Sequence, residues 1–187
     1  MENKVCFLFG HATAPYETTF FVEDAAARHY LEYGIRTFIV GNRGDFDNYA
    51  ATAIKSLKQR YRDITLTLLL AYHPAERPIE LTEGFDGSFY PPLENIPRRY
   101  AIAQANRFMV NTSDSIICYV NHFGNTRNLL EYAQRQQRKR KFIIENVGAG
   151  TTPTSTSPGR IAENIGKPHS QLSATEAKES PADIAST

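Results

Sequence analysis

The residues best suited to chemistry gather in three short turns, each lying between an apolar run and a helical pattern. They are Gly10-His11-Ala12-Thr13, Gly41-Asn42-Arg43-Gly44-Asp45-Phe46-Asp47 and Asn121-His122-Phe123-Gly124-Asn125-Thr126. Glycine allows close backbone approach, and free N–H groups at the positive end of a helix suit a phosphate. Taken singly, a glycine in such a turn is more often steric than functional. His11 and His122 offer acid/base groups or phosphate donors, and Asp45 and Glu94 add carboxylates able to move a proton. Two histidines without a third metal-type neighbour make a poor zinc site, so no metal is expected.

Each of these residues also has a structural reading. Asn125 or Thr126 is suited to cap the helix that follows, and of Asp45 and Asp47 one is expected to cap and the other to meet a ribose or base. Arg98, Arg99 and Arg107 open and line a helix that either presents cations to a cleft or forms a solvated face. The run QRQQRKRK (134–141) sits at a helix C-terminus, where the dipole favours cations, so its structural reading outweighs nucleic-acid binding.

The elements that must position these turns follow from hydrophobic periodicity. KVCFLF (4–9), RTFIV (36–40), ITLTLLLAY (64–72), SIICYV (115–120) and KFIIEN (141–146) are strand candidates rich in β-branched and aromatic residues. Between them, FVEDAAARHYLEYG ends at Gly34 as a helix-stopping glycine. DNYAATAIKSLKQRYRD repeats apolar residues at Tyr49, Ala53, Ile54, Leu57 and Tyr61. PRRYAIAQANRFMVNTSD, opened by Pro97, and TRNLLEYAQRQQRK supply two further helices. The alternation predicts an α/β, Rossmann-like, doubly wound domain: a mainly parallel five-stranded sheet with helices on both faces. With strand order 3-2-1-4-5, ligands bind where the order reverses, between the first and fourth strands, so GHAT faces NHFGNT across the crevice. The connection 73–96, with four prolines, is long enough to be functional or mobile.

Composition limits the alternatives. The 187 residues suit one domain plus a tail: residues 1–146 read as the folded domain. Residues 147–187, rich in Ser, Thr, Pro and Ala, read as a disordered tail, with a peptide ligand for a partner as the lesser alternative. A net charge of +1, from 21 Lys+Arg against 20 Asp+Glu, gives no global pull toward nucleic acid or anionic membrane. The two cysteines, Cys6 and Cys118, lie inside apolar runs and read as buried thiols of a reducing compartment. With no signal-like or membrane-spanning run, the expected location is the cytoplasm. Neither Gly-x-Gly-x-x-Gly after the first strand nor Gly-x-x-x-x-Gly-Lys-Ser/Thr occurs, which disfavours a dinucleotide dehydrogenase and a P-loop NTPase, and no cofactor is expected.

In combination, GHAT, GNRGDFD, ENIPRR and NRFMVNTSDSIICYVNHFGNTRNLLEYA resemble the SLOG superfamily, which joins the DNA-processing protein A (Smf) domain to the LOG phosphoribohydrolases. The pattern is most similar to a bacterial branch of unknown function with a Gly-His motif after the first strand. It covers about residues 4–146. The resemblance implies a nucleotide or nucleotide-derived ligand whose phosphate sits at Gly124-Asn125-Thr126, with Gly10, His11, Gly41, Asn42, Arg43, Gly44, Arg107, Asn121, His122 and Phe123 around it. The glutamate and arginine that LOG enzymes use fall on Leu129 and Ala105 here, and the nearest carboxylate, Glu131, is about 200° away around the helix. Binding of a nucleotide-like small molecule, as a sensor, is therefore the first expectation. The alternative is hydrolysis of a nucleotide N-glycosidic bond with acid/base groups drawn from His11, Asp45, Glu94 and His122. Single-stranded DNA binding comes third and is disfavoured by the charge, no membrane partner is expected, and a homo-oligomer stays compatible with the sequence.

Overall fold

The computed structural model describes residues 4–149; the expected tail, from residue 150 onward, lies outside the described residues. The chain runs β1 (Lys4–Gly10), α1 (Thr18–Tyr33), β2 (Ile35–Val40), α2 (Asp45–Arg60), β3 (Thr65–Leu69) and β4 (Gly87–Phe89). After a 3₁₀ turn (Arg98–Tyr100) come α3 (Ala101–Thr112), β5 (Ser115–Tyr119), α4 (Asn125–Gln137) and β6 (Ile143–Asn146). The strands form one sheet in the order β4-β3-β2-β1-β5-β6, and every pairing is parallel. No helix among the described residues is long and apolar enough to cross a membrane.

The doubly wound architecture is the expected one, but the sheet has six strands rather than five. The extra strand, β4, is only Gly-Ser-Phe, an edge piece inside the connection 73–96, paired at Thr67↔Gly87 and Leu69↔Phe89. Three residues opened by glycine carry no readable alternation, and pairing alone makes them a strand. β3 stops at Leu69, short of the expected Tyr72. Pro97 precedes the 3₁₀ turn, accepting from the Tyr100 N–H (2.8 Å), rather than standing inside α3. The folded domain also continues past 146, because Val147 is buried and its N–H donates to the Cys118 carbonyl (2.8 Å).

Strand alternation divides the core. Cys6 and Leu8 of β1 pack with Val22, Ala25, Phe46 and Ile54 of α1 and α2. Phe7 and Phe9 pack on the other face with Ala105, Met109, Leu130 and Ala133 of α3 and α4. A strand covered on both sides reads as a continuous apolar run, which is why KVCFLF shows no period-2 pattern. α1 ends at Gly34, whose φ of 73° lies in the left-handed region and whose N–H returns to the His29 carbonyl. His29, fully buried, ties that helix to the sheet through Ser115 Oγ (3.1 Å) and Glu145 Oε2 (3.2 Å).

Two polar side chains clamp the ends of β5. At its start, Asp114 accepts from the Val5 N–H (2.8 Å) while its own N–H donates to the Val5 carbonyl (2.8 Å). At its far end, Asn146 accepts from the Val120 N–H and donates to the Val120 carbonyl, both at 2.9 Å, and also accepts from the Gly148 N–H (3.0 Å). Asn146→Ala strands both backbone groups of Val120, so it is expected to lower stability by about 1–3 kcal/mol in urea unfolding.

Candidate functional site

Successive strands from β1 run one way through β2, β3 and β4, and the chain then crosses back so that β5 lies on the other side of β1. The two central strands end level: Gly10 pairs with Tyr119, and the His11 N–H donates to the Tyr119 carbonyl (3.1 Å). Because the chain leaves these strands toward opposite faces, a crevice opens at their carboxyl ends. It is a cleft of about 540 Å³, within the range of small-molecule sites.

Of the residues singled out from the sequence, Gly10, His11, Gly41, Arg43, Gly44, Arg107, Asn125 and Thr126 line this cleft. Asn42 lines a neighbouring cavity instead. Asp45, Glu94, Asn121, His122, Phe123 and Gly124 are not part of the lining. Phe123, expected beside the phosphate, is 88% exposed, and its ring meets the Arg127 guanidinium at 5.7 Å. The Asn121 amide is spent on the Tyr119 hydroxyl (2.8 Å) and the His122 ring (2.7 Å). The cleft also includes Asp47, Arg99, Asn106, Asn128 and Tyr132, together with Leu129 and Ala105.

The capping expectation fails at both helices. The residue before α2 is Gly44 and the residue before α4 is Gly124, and no side chain caps either. Gly124 holds a φ of 147°, open to glycine and strained for any other residue, so Asn125 and Thr126 are the first residues of α4 itself. Gly44 has a different reason: a Cβ there would meet the Ala12 backbone at 2.5 Å, where the first two turns touch and the Asp45 N–H donates to the Ala12 carbonyl (2.7 Å). The two helix starts are therefore unequal. α2 opens with Asp45 and Asp47 and has already given one N–H to Ala12, whereas α4 has no acidic residue in its first turn. Its first N–H groups have no acceptor within the helix, which leaves them for an anion.

The histidines stack rather than face each other. The His11 and His122 rings are 3.4 Å apart and 15° from parallel, and His11 Nε2 accepts from the His122 N–H (3.4 Å). His11 is buried at 4% exposure, and burial, followed by the neighbouring His122, lowers its pKa from the ordinary histidine value. Asp47 is half-buried; its carboxylate accepts from the Arg43 N–H (2.8 Å), and burial pushes its pKa up to about 6 despite the pull of Arg43. Cys6 and Cys118 are buried free thiols raised well above neutral by burial, Cys6 to about 12, so neither supplies a nucleophile. No cluster of three metal-type ligands exists among the described residues. Arg43, Arg99 and Arg107 make no ion pair with any carboxylate among the described residues.

Fold and cleft together define a doubly wound α/β domain with an arginine-lined switch-point crevice. No family model matches the chain, and none of the curated proteins matches it.

Burial that raises the Asp47 pKa from 3.8 to about 6 costs stability whenever the carboxylate is charged in the fold. That cost is fully present above the folded value and disappears as pH falls toward the unfolded one. Asp47→Asn is thus expected to raise stability by roughly 3 kcal/mol at alkaline pH, since one pKa unit is ~1.4 kcal/mol. The gain should shrink as pH falls through about 6 in a pH series of urea unfolding curves. Gly44→Ala forces the first two turns apart and is expected to cost about 1–3 kcal/mol in the same assay.

Proposed function

We propose that the protein binds a nucleotide, or a phosphorylated small molecule derived from one, in the cleft beyond β1 and β5, and that it acts as a cytoplasmic sensor of that ligand. One observation carries the reading: the acid-free first turn of α4 opens into a cleft that also holds Arg43, Arg99 and Arg107, which make no ion pair among the described residues. Backbone N–H donors at a helix start and bidentate guanidinium groups are the two standard means of holding a phosphate. The resemblance of the sequence to the SLOG superfamily supports the same reading. Sensing rather than turnover is favoured because Leu129 and Ala105, at the positions where LOG enzymes carry glutamate and arginine, line the cleft with apolar groups.

The second reading is hydrolysis of an N-glycosidic bond, and Asp47 is what favours it. Asp45, Glu94 and His122 lie off the cleft, whereas Asp47 lines it and titrates at about 6, where a carboxyl group exchanges protons readily near neutral pH.

A thermal-shift screen of the full chain against nucleoside mono- and diphosphates, followed by chromatography of each sample, separates the readings. A ligand at about 100 times its Kd adds ~2.7 kcal/mol, several degrees for a domain of this size. The sensor reading expects the ligand to be recovered intact; released base supports hydrolysis. Absence of any shift overturns both. Arg107→Ala is expected to weaken AMP binding by about tenfold or more, the loss of one charge-assisted contact. Asp47→Asn removes a competing carboxylate and is expected to tighten AMP binding at pH 7.5 if the site senses, or to abolish base release if it hydrolyses.

A further inference from the structure

Tyr72 stands just beyond β3, half-buried, with three guanidinium groups around its ring. The central carbons of Arg98, Arg43 and Arg77 lie 5.2, 5.3 and 5.9 Å from its centroid. They come from three separate stretches of chain: the turn before α3, the turn between β2 and α2, and the connection after β3. None of the three makes an ion pair with a carboxylate among the described residues. An aromatic ring attracts a cation on its face, but three like charges around one ring repel one another. Such a cluster suits an anion.

A place for that anion adjoins the cluster. A second cavity, of about 280 Å³, is lined by Asn42, Arg43, Tyr72, Arg77, Pro78 and Ile79. Arg43, Leu69 and Ala71 line both this cavity and the main cleft, so the two spaces meet at the ends of β2 and β3. The smaller one suits a single group of a ligand whose body occupies the larger.

We infer that the second cavity is an anion subsite, and that the ligand carries two phosphate groups, one held in the main cleft and the other by Arg43, Arg77 and Arg98. This rests on the phosphate-binding reading of the main cleft and deepens it from a phosphorylated nucleotide to a doubly phosphorylated one. Arg43 lines both spaces and serves both positions, Arg77 lines only the second, and Arg98, beside the Tyr72 ring, serves the second from its edge. A phosphate between guanidinium groups accepts paired N–H bonds, and it neutralises the charges that repel each other around Tyr72.

The test is calorimetric titration of the full chain with AMP, ADP and adenosine 3′,5′-bisphosphate, using wild type, R107A and the double variant R77A/R98A. At least one of the two doubly phosphorylated probes is expected to bind wild type about tenfold or more tighter than AMP. ADP gaining more places the phosphates side by side, and the 3′,5′-bisphosphate gaining more places them apart; both support the subsite. R77A/R98A is expected to erase that gain while leaving AMP affinity within about twofold, and R107A to weaken all three probes. If AMP binds but neither second phosphate adds affinity, or if R77A/R98A weakens AMP as much as the others, the subsite is overturned and the main cleft stands. If none of the probes binds wild type, both readings fall.

Discussion

The level pairing of β1 with β5 is the constraint on which the rest of the molecule depends. Gly10 against Tyr119, sealed by the His11 N–H on the Tyr119 carbonyl, brings two strands distant in sequence to a common end. The chain must leave those ends toward opposite faces of the sheet, so the first residues after them cannot cover one another. The crevice is a consequence of topology, and it exists whatever side chains line it. Asn146 keeps the far end of β5 in register by occupying both backbone groups of Val120, which are past the last ladder bond of that strand.

Packing then decides where polarity can survive. The central strands are apolar on both faces, and the two halves of the core leave no room along the sheet for a charged group. Charge is pushed to the strand ends and the outer faces of the helices, and its distribution there is uneven. Lys58 is paired with Asp86, Arg36 with Asp63 and Arg60 with Glu23 on the α1 and α2 side of the molecule. Arg43, Arg77, Arg98, Arg99 and Arg107 lie at or beside the cleft without such partners among the described residues. A net charge of +1 conceals this separation completely, because composition counts charges without placing them.

Asp47 shows the energetic consequence of the arrangement. It is held over the second turn by the Arg43 N–H, in a position where burial disfavours its charge. Asp45, two residues earlier, is exposed at the start of the same helix. The two are about 200° apart around the axis, so only one can turn toward the cleft. Which one is fixed by Phe46, Ala50, Ala53, Ile54 and Leu57, whose burial sets the rotation of α2 against the sheet.

The sequence by itself determined the alternation of strands and helices, the doubly wound class and the three glycine turns, because each rests on a local signal: apolar periodicity, a stopping glycine at 34, a turn beyond a buried run. Only the tertiary structure decided that Gly87-Ser88-Phe89 is a strand, because pairing with β3 makes it one. Only tertiary structure turned Asp47 rather than Asp45 to the cleft, left Phe123 in solvent, stacked His122 on His11 and gathered three distant arginines around Tyr72. Each of these depends on how an element is rotated against its neighbours, and packing contacts between residues far apart in the chain fix that rotation.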